Sequence, residues 1–180
     1  MGIEISEIDL ASLGVDLTRR PLEVAESHLY AGSNPESGNA IAVKVYRGLN
    51  LDQILDYAQT TYFLAEKINP QRKFIPLYPN GEETKCLVYI VPITQVGVAN
   101  GLPFTVSDFV AGDTLFDIDS HYQSRNFGDS KEPLVVLSSQ LRKISGKRGI
   151  GIIPWNVKLL NLNNTNILAV TDLCGSIQSL

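Results

Sequence analysis

Pro154-Trp155-Asn156-Val157-Lys158-Leu159-Leu160, followed by Val170-Thr171-Asp172-Leu173-Cys174-Gly175, is the stretch around which the chain is organised. Asn156 and Asp172 stand sixteen residues apart, a separation that a hairpin with its tip at 161–166 accommodates. Trp155, beside Asn156, is expected to anchor a core, with an exposed place at an interface as the alternative. Asn163-Asn164-Thr165 spells a glycosylation sequon, which without secretion means only a polar turn.

Working outward, 180 residues with 44% hydrophobic side chains suit one domain, or two small lobes sharing a core, and need no disulfide staples. The net charge of -4 comes without any basic block, which argues against a nucleic-acid partner. No apolar run reaches the length of a membrane span. Cys86 and Cys174 sit in strand-like apolar surroundings, and no Cys/His cluster has metal-site spacing. Both therefore read as core thiols of a reduced, cytoplasmic protein. The N-terminus lacks a secretory pattern, although Met1-Gly2-Ile3-Glu4-Ile5-Ser6 fits the loose pattern for myristoylation.

In chain order, residues 4–20 mix short apolar pairs with acids around a break at Leu13-Gly14 and predict a leading strand or arm. A strand at 22–30, the turn formers at 32–39 and the strand Ala40-Ile41-Ala42-Val43-Lys44-Val45-Tyr46 predict a hairpin. Taken alone, Lys44 would simply point into water. Residues 50–69 read as the best helix: Leu51, Ile54, Leu55, Ala58, Tyr62 and Ala65 fall at helical spacing, Asn50 caps the start and Pro70 follows the end. Strands are predicted at 74–78 and 85–93, parted by Pro79-Asn80-Gly81, and Asn100-Gly101 predicts a second hairpin. Together these strands make one antiparallel sheet with one helix packed on it. Residues 117–130 are polar and irregular. A helix then starts at Ser130 and Pro133, carries the stripe Leu134, Leu137, Leu141 and Ile144, and ends at Gly146. His28 and His121 have no partner at catalytic spacing and receive no catalytic role.

From about Leu22 to the C-terminus, the order of these elements and three short motifs resemble protein kinases. Ala42-Val43-Lys44 is similar to the third-strand lysine motif of that family. Phe104-Thr105-Val106-Ser107-Asp108-Phe109-Val110-Ala111-Gly112 resembles the fifth strand and hinge. Asn156 resembles the end of the catalytic loop, and Asp172-Leu173-Cys174-Gly175 the Asp-Phe-Gly triplet. The resemblance implies an α+β, protein kinase-like fold, with an antiparallel sheet and one packed helix over 1–112 and a minimal, truncated second lobe over 113–180. Any cofactor it implies is ATP with magnesium. Lys44 would then hold phosphates with Glu66 as its candidate partner, the backbone of Asp108 to Val110 would receive adenine, and Asn156 and Asp172 would hold the metal.

The departures from the pattern decide the functional expectation. Counting back five residues from Asn156 reaches Gly151, where the family has its catalytic Asp, and Gly149 and Ile150 replace the His and Arg before it. The glycine positions of a phosphate loop fall near Pro21, Glu23 and Glu26, and carboxylates there repel a triphosphate. No catalytic residue is assigned. The sequence is therefore read as a pseudokinase, a module that binds a protein partner or itself without transferring phosphate. Two other readings stand beside it: a minimal ATP-dependent kinase or phosphotransferase using Lys44, Asn156 and Asp172, and an unrelated α+β binding domain.

Overall fold

Asn50 opens the longest helix with a reciprocal cap: its Oδ1 accepts from the Gln53 N–H at 2.9 Å, and Gln53 Oε1 accepts from the Asn50 N–H at 3.0 Å. The computed structural model describes residues 4–7, 9–16, 22–24, 27–78, 82–118 and 132–173, with the backbone alone at 4–7 and 22–24. Helix α1 runs over Leu51–Ile68. Ile54, Ala58, Thr61, Ala65 and Ile68 are buried at alternating spacings of four and three that keep one face inward, and Tyr57, Thr60 and Leu64 beside them are buried too. Beyond it, Pro70 sits in a 3-10 turn at Asn69–Gln71, and Arg72 leaves that turn at φ 48°.

Ten strands are described. In chain order they are β1 Glu4–Glu7, β2 Leu22–Val24, β3 Ser27–Ser33, β4 Ala40–Tyr46, β5 Phe74–Leu77, β6 Thr84–Ile90, β7 Ile93–Ala99, β8 Leu102–Asp108, β9 Val157–Leu162 and β10 Thr165–Val170. They form two sheets with few helices, an α+β architecture. The chain divides into two compact units, Met1–Tyr62 with Pro92–Phe109, and Phe63–Val91 with Val110–Leu180.

The first unit holds a six-stranded sheet in the order β1-β7-β8-β4-β3-β2. All its pairings are antiparallel except β1 with β7, so the sheet is mixed where an antiparallel one was expected. Asn100 and Gly101 join β7 to β8 with φ of 51° and 77°, the left-handed pair of a type I′ turn. Ile41, Val43 and Val45 of β4 share a core with Phe104 and Val106 of β8 and with Leu10, Leu13 and Val15 of the N-terminal arm. That arm is a 3-10 turn, Leu10–Leu13, capped by Asp9 Oδ1 and ended by Gly14 at φ 63°. It passes close over β3 because Gly32 has no side chain; a Cβ there would lie 2.5 Å from the Leu13 carbonyl oxygen.

The second unit holds a four-stranded sheet in the order β5-β6-β10-β9, in which β6 and β10 run parallel. Alternate residues Ile75 and Leu77 of β5 and Cys86, Val88 and Ile90 of β6 are buried, the period-two pattern of a half-buried sheet, whereas β10 buries Leu168, Ala169 and Val170 in succession. A single helical turn, α2, spans Leu115–Ile118, and helix α3 spans Pro133–Ser145. Glu132 caps α3 by accepting from the Val135 N–H at 3.0 Å, Pro133 occupies its first turn, and Gly146 at φ 71° ends it. Leu134, Leu137 and Leu141 are buried, whereas Ile144, in the last turn, is exposed. Ser130, expected to start this helix, lies outside the described residues.

The run expected as one strand over 85–93 is divided between the two sheets. Strand β6 stops at Ile90, the Val91 N–H donates to the Val170 carbonyl at 3.0 Å, and Pro92 has no N–H with which to continue the ladder. Strand β7 then starts at Ile93 in the other sheet. Asn69 finishes the edge of β6: its Nδ2 donates to the Ile90 carbonyl and its Oδ1 accepts from the Ile90 N–H, both at 2.9 Å. Among the described residues no helix is long and apolar enough to cross a membrane.

Candidate functional site

In the second unit, β9 and β10 form the hairpin that the resemblance implies between Asn156 and Asp172. Asn163 and Asn164, at φ 50° and 61°, make its tip, and Asn161 Nδ2 donates to Asn166 Oδ1 at 2.8 Å. Its ladder runs to Val157 opposite Val170. One residue further out, the Asn156 carbonyl accepts from the Thr171 N–H at 2.9 Å and from the Thr171 hydroxyl at 3.0 Å. Thr171 thereby ties Asn156 to the chain immediately before Asp172. The hairpin brings these two residues to one end, and both are half-buried.

An amide oxygen and a carboxylate are hard donors of the kind magnesium takes, with water or phosphate oxygens completing the shell. By donor type, Asn156 and Asp172 suit that ion. Among the described residues no group of three or more His, Cys, Asp or Glu gathers as a metal cage.

The loop ahead of Asn156 is held by a residue that sequence reasoning passed over. Ser138 is 5% exposed; its hydroxyl donates to the Leu134 carbonyl at 2.7 Å and accepts from the Ile152 N–H at 2.9 Å. Ile150 and Ile152 are buried on either side of Gly151. A Cβ added at Gly151 would meet nothing within 4 Å, so this position holds no side chain and has room for one. Pro154–Asn156 then forms a 3-10 turn. Pro154 takes the inward direction of that turn, which leaves Trp155 50% exposed and edge-on to Phe116, with ring centroids 5.6 Å apart. The expected core anchor is thus a surface aromatic.

Lys158, two residues beyond Asn156, is the second residue that was missed. Its Nζ donates to the Val110 carbonyl at 2.6 Å, and its backbone bridges Thr114. Thr114 in turn donates its hydroxyl and its N–H to Asp117 Oδ2, at 2.6 and 3.1 Å. These hydrogen bonds, helped by the Lys158 charge, hold the Asp117 carboxyl below its ordinary range. A polar Ser inside the Leu134-Leu137-Leu141 stripe was the one available signal for Ser138. For Lys158 a lone strand lysine offered none.

In the first unit, Lys44 stands opposite Leu29 and Thr105, half-buried, with its ammonium 5.3 Å from the centre of the Tyr46 ring. On the same face Ala42 lies between Ala31 and Ser107, a row of three small side chains across three strands. Asp108 pairs with Ile41, which puts it on the opposite face from Lys44. The Phe109 N–H next to it donates to the Ala40 carbonyl at 3.1 Å. Glu66, the candidate partner of Lys44, belongs to the second unit and is exposed on α1.

His28 Nδ1 accepts from Arg47 Nη2 at 3.1 Å and lies 3.4 Å from the Tyr30 hydroxyl. Cys86 is fully buried, and burial pushes its thiol up to about 11. The glycine-loop positions Pro21 and Glu26, the side chain of Glu23, and His121, Cys174 and Gly175 lie outside the described residues. No model of a known protein family matches the chain, and no curated protein matches it.

Proposed function

We propose that this protein is a catalytically degenerate, protein kinase-like module that works by binding, to a protein partner or to a second copy of itself, and transfers no phosphate. The observation that carries the proposal is the contrast on the two sides of Asn156. Downstream, the hairpin and Thr171 set an amide and a carboxylate at one end of β9 and β10. Upstream, residues 149–153 carry no carboxylate, and Gly151 holds no side chain at all. Phosphoryl transfer needs a group that orients the attacking hydroxyl and takes its proton, and this loop supplies none.

The first unit supports the same reading. Strand β4, which carries Lys44, is the hydrogen-bonded neighbour both of β3, the strand before it, and of β8, the strand that leads into 108–110. Binding to protein draws support from the four-stranded sheet, where Phe74, Leu87 and Ile167 stand in one cross-strand row, Phe74 exposed and the other two half-buried.

The test is transfer of labelled phosphate from Mg-ATP, to the chain itself and to a general protein acceptor. No transfer is expected from the wild-type chain. Transfer that disappears in Asp172→Ala would overturn the proposal in favour of a phosphotransferase that uses Lys44, Asn156 and Asp172.

A further inference from the structure

Resting on the reading of the chain as a binding module, we infer that Trp155 and Phe116 form the docking site for an arginine side chain presented by a partner protein. The two rings stand edge-on at 79°, with centroids 5.6 Å apart, and both belong to the second unit. A T-shaped contact occupies at most one face of the indole, and Trp155 is 50% exposed. Indole is the aromatic surface that attracts a cation most strongly, and a planar guanidinium stacks on it where a compact ammonium does not.

The ring pair is fixed from both sides. Phe116 lies in α2 beside the buried Leu115, and Thr114 and Asp117 close that turn with two hydrogen bonds to Asp117 Oδ2. Trp155 is the middle residue of the turn Pro154–Asn156, whose first residue is buried and whose last is bonded to Thr171. With both backbones held, little ordering entropy opposes a ligand.

Charge selects the occupant. The segments 110–118, 153–158 and 171–173, which carry or adjoin the rings, hold Asp113, Asp117 and Asp172 against a single cation, Lys158. Asp113 and Asp117 are exposed and Asp172 is half-buried. The Lys158 ammonium donates to the Val110 carbonyl at 2.6 Å and offsets only part of this charge. Three carboxylates around one ammonium favour a cationic ligand over a neutral or acidic one, and a carboxylate suits the N–H fork of a guanidinium.

Trp155 is the only tryptophan of the chain, so indole fluorescence reads this site alone. The probe is a short capped glycine-serine peptide carrying a pair of arginines, titrated into the full chain. It is compared with the same peptide carrying lysine, trimethyl-lysine, or citrulline, which keeps the shape of arginine without its charge. Phe116→Leu and Asp117→Asn are titrated beside wild type; an Asn side chain still offers Thr114 an acceptor, so the turn is kept. If Phe116→Leu does not fold, the peptide series on wild type and Asp117→Asn carries the test.

Expected is a saturable change in emission with the arginine peptide in the millimolar range, with binding about fivefold weaker for the lysine and citrulline peptides and for Phe116→Leu. Asp117→Asn should weaken it by about two- to fivefold. Equal binding of lysine and arginine would overturn the inference, because charge alone would then account for it. Tighter binding of trimethyl-lysine would overturn it in favour of a quaternary-ammonium cage. Wild-type affinity in both variants, or no saturable change at about 10 mM peptide, would overturn it as well. A chain that binds no arginine peptide and transfers no phosphate loses this site and keeps the binding-module reading. Phosphate transfer that depends on Asp172 removes that reading whatever the peptides do.

Discussion

Ser138→Ala removes one hydroxyl from the described structure and tests whether that hydroxyl holds the loop before Asn156. Two hydrogen bonds are lost, and they are unequal. The Leu134 carbonyl keeps its helical partner within α3, so losing the extra donor costs it little. The Ile152 N–H, bonded to Ser138 Oγ at 2.9 Å in a residue only 7% exposed, is left buried without its acceptor. An unsatisfied buried donor costs about 1–3 kcal/mol, so a loss near 2 kcal/mol is expected. For a chain of this size that corresponds to a fall in Tm of about 4–8 °C. Thermal unfolding followed by circular dichroism reads it, with Val136→Ala on the exposed side of the same helix expected to change stability by less than about 0.5 kcal/mol. A Ser138→Ala chain that melts within about 1 °C of wild type would refute the reasoning, because the loop would then have another anchor.

Gly32→Ala drives a Cβ to 2.5 Å from the Leu13 carbonyl oxygen, and the arm must shift; a loss of about 1–3 kcal/mol is expected by urea unfolding, against almost none for Gly151→Ala, where nothing lies within 4 Å. Asp117 has its carboxyl held below the ordinary 3.8, so the stabilisation it gives is full above that pH and is lost as pH falls through the lower folded value. The difference in Tm between wild type and Asp117→Asn should therefore be present at neutral pH and shrink steadily below about pH 4. The Cys86 thiol, raised to about 11 and fully buried, should resist a thiol reagent at neutral pH in a Cys174→Ser background and react only when urea unfolds the chain.

What could be read from the sequence was local. The capped start of α1 at Asn50, the Asn100-Gly101 turn and the Leu134-Leu137-Leu141 stripe each signal themselves within a few residues, and each forms. The hairpin that joins Asn156 to Asp172 was expected from the resemblance to kinases, and the sixteen residues between them left room for it. The division of the strands between two sheets was not. Residues 85–93 form a continuous apolar run, and only Pro92 marks the place where one sheet ends and another begins. The parallel pairings of β1 with β7 and of β6 with β10 join strands distant in sequence and leave no periodic trace. Trp155 was misjudged because bulk suggests burial, whereas the buried Pro154 sets the direction of the turn. Ser138 and Lys158 act through single hydrogen bonds to distant backbone, which no spacing rule reveals.

The parallel pairing of β6 with β10 also fixes an order of assembly. The strands of the six-stranded sheet have all been synthesised once the chain reaches Asp108, and most of their pairings close short loops. β5 and β6 can pair with each other by then as well, but β6 receives its other neighbour only after Thr165–Val170 has emerged. Until that moment a strand with Cys86, Val88 and Ile90 along one face has a bare edge, the kind of surface that recruits chaperones or other nascent chains. Formation of the hairpin that carries Asn156 and Asp172 is therefore also the step that ends the exposure of β6. A substitution that slows hairpin closure should lower the yield of soluble protein even where the finished fold is equally stable.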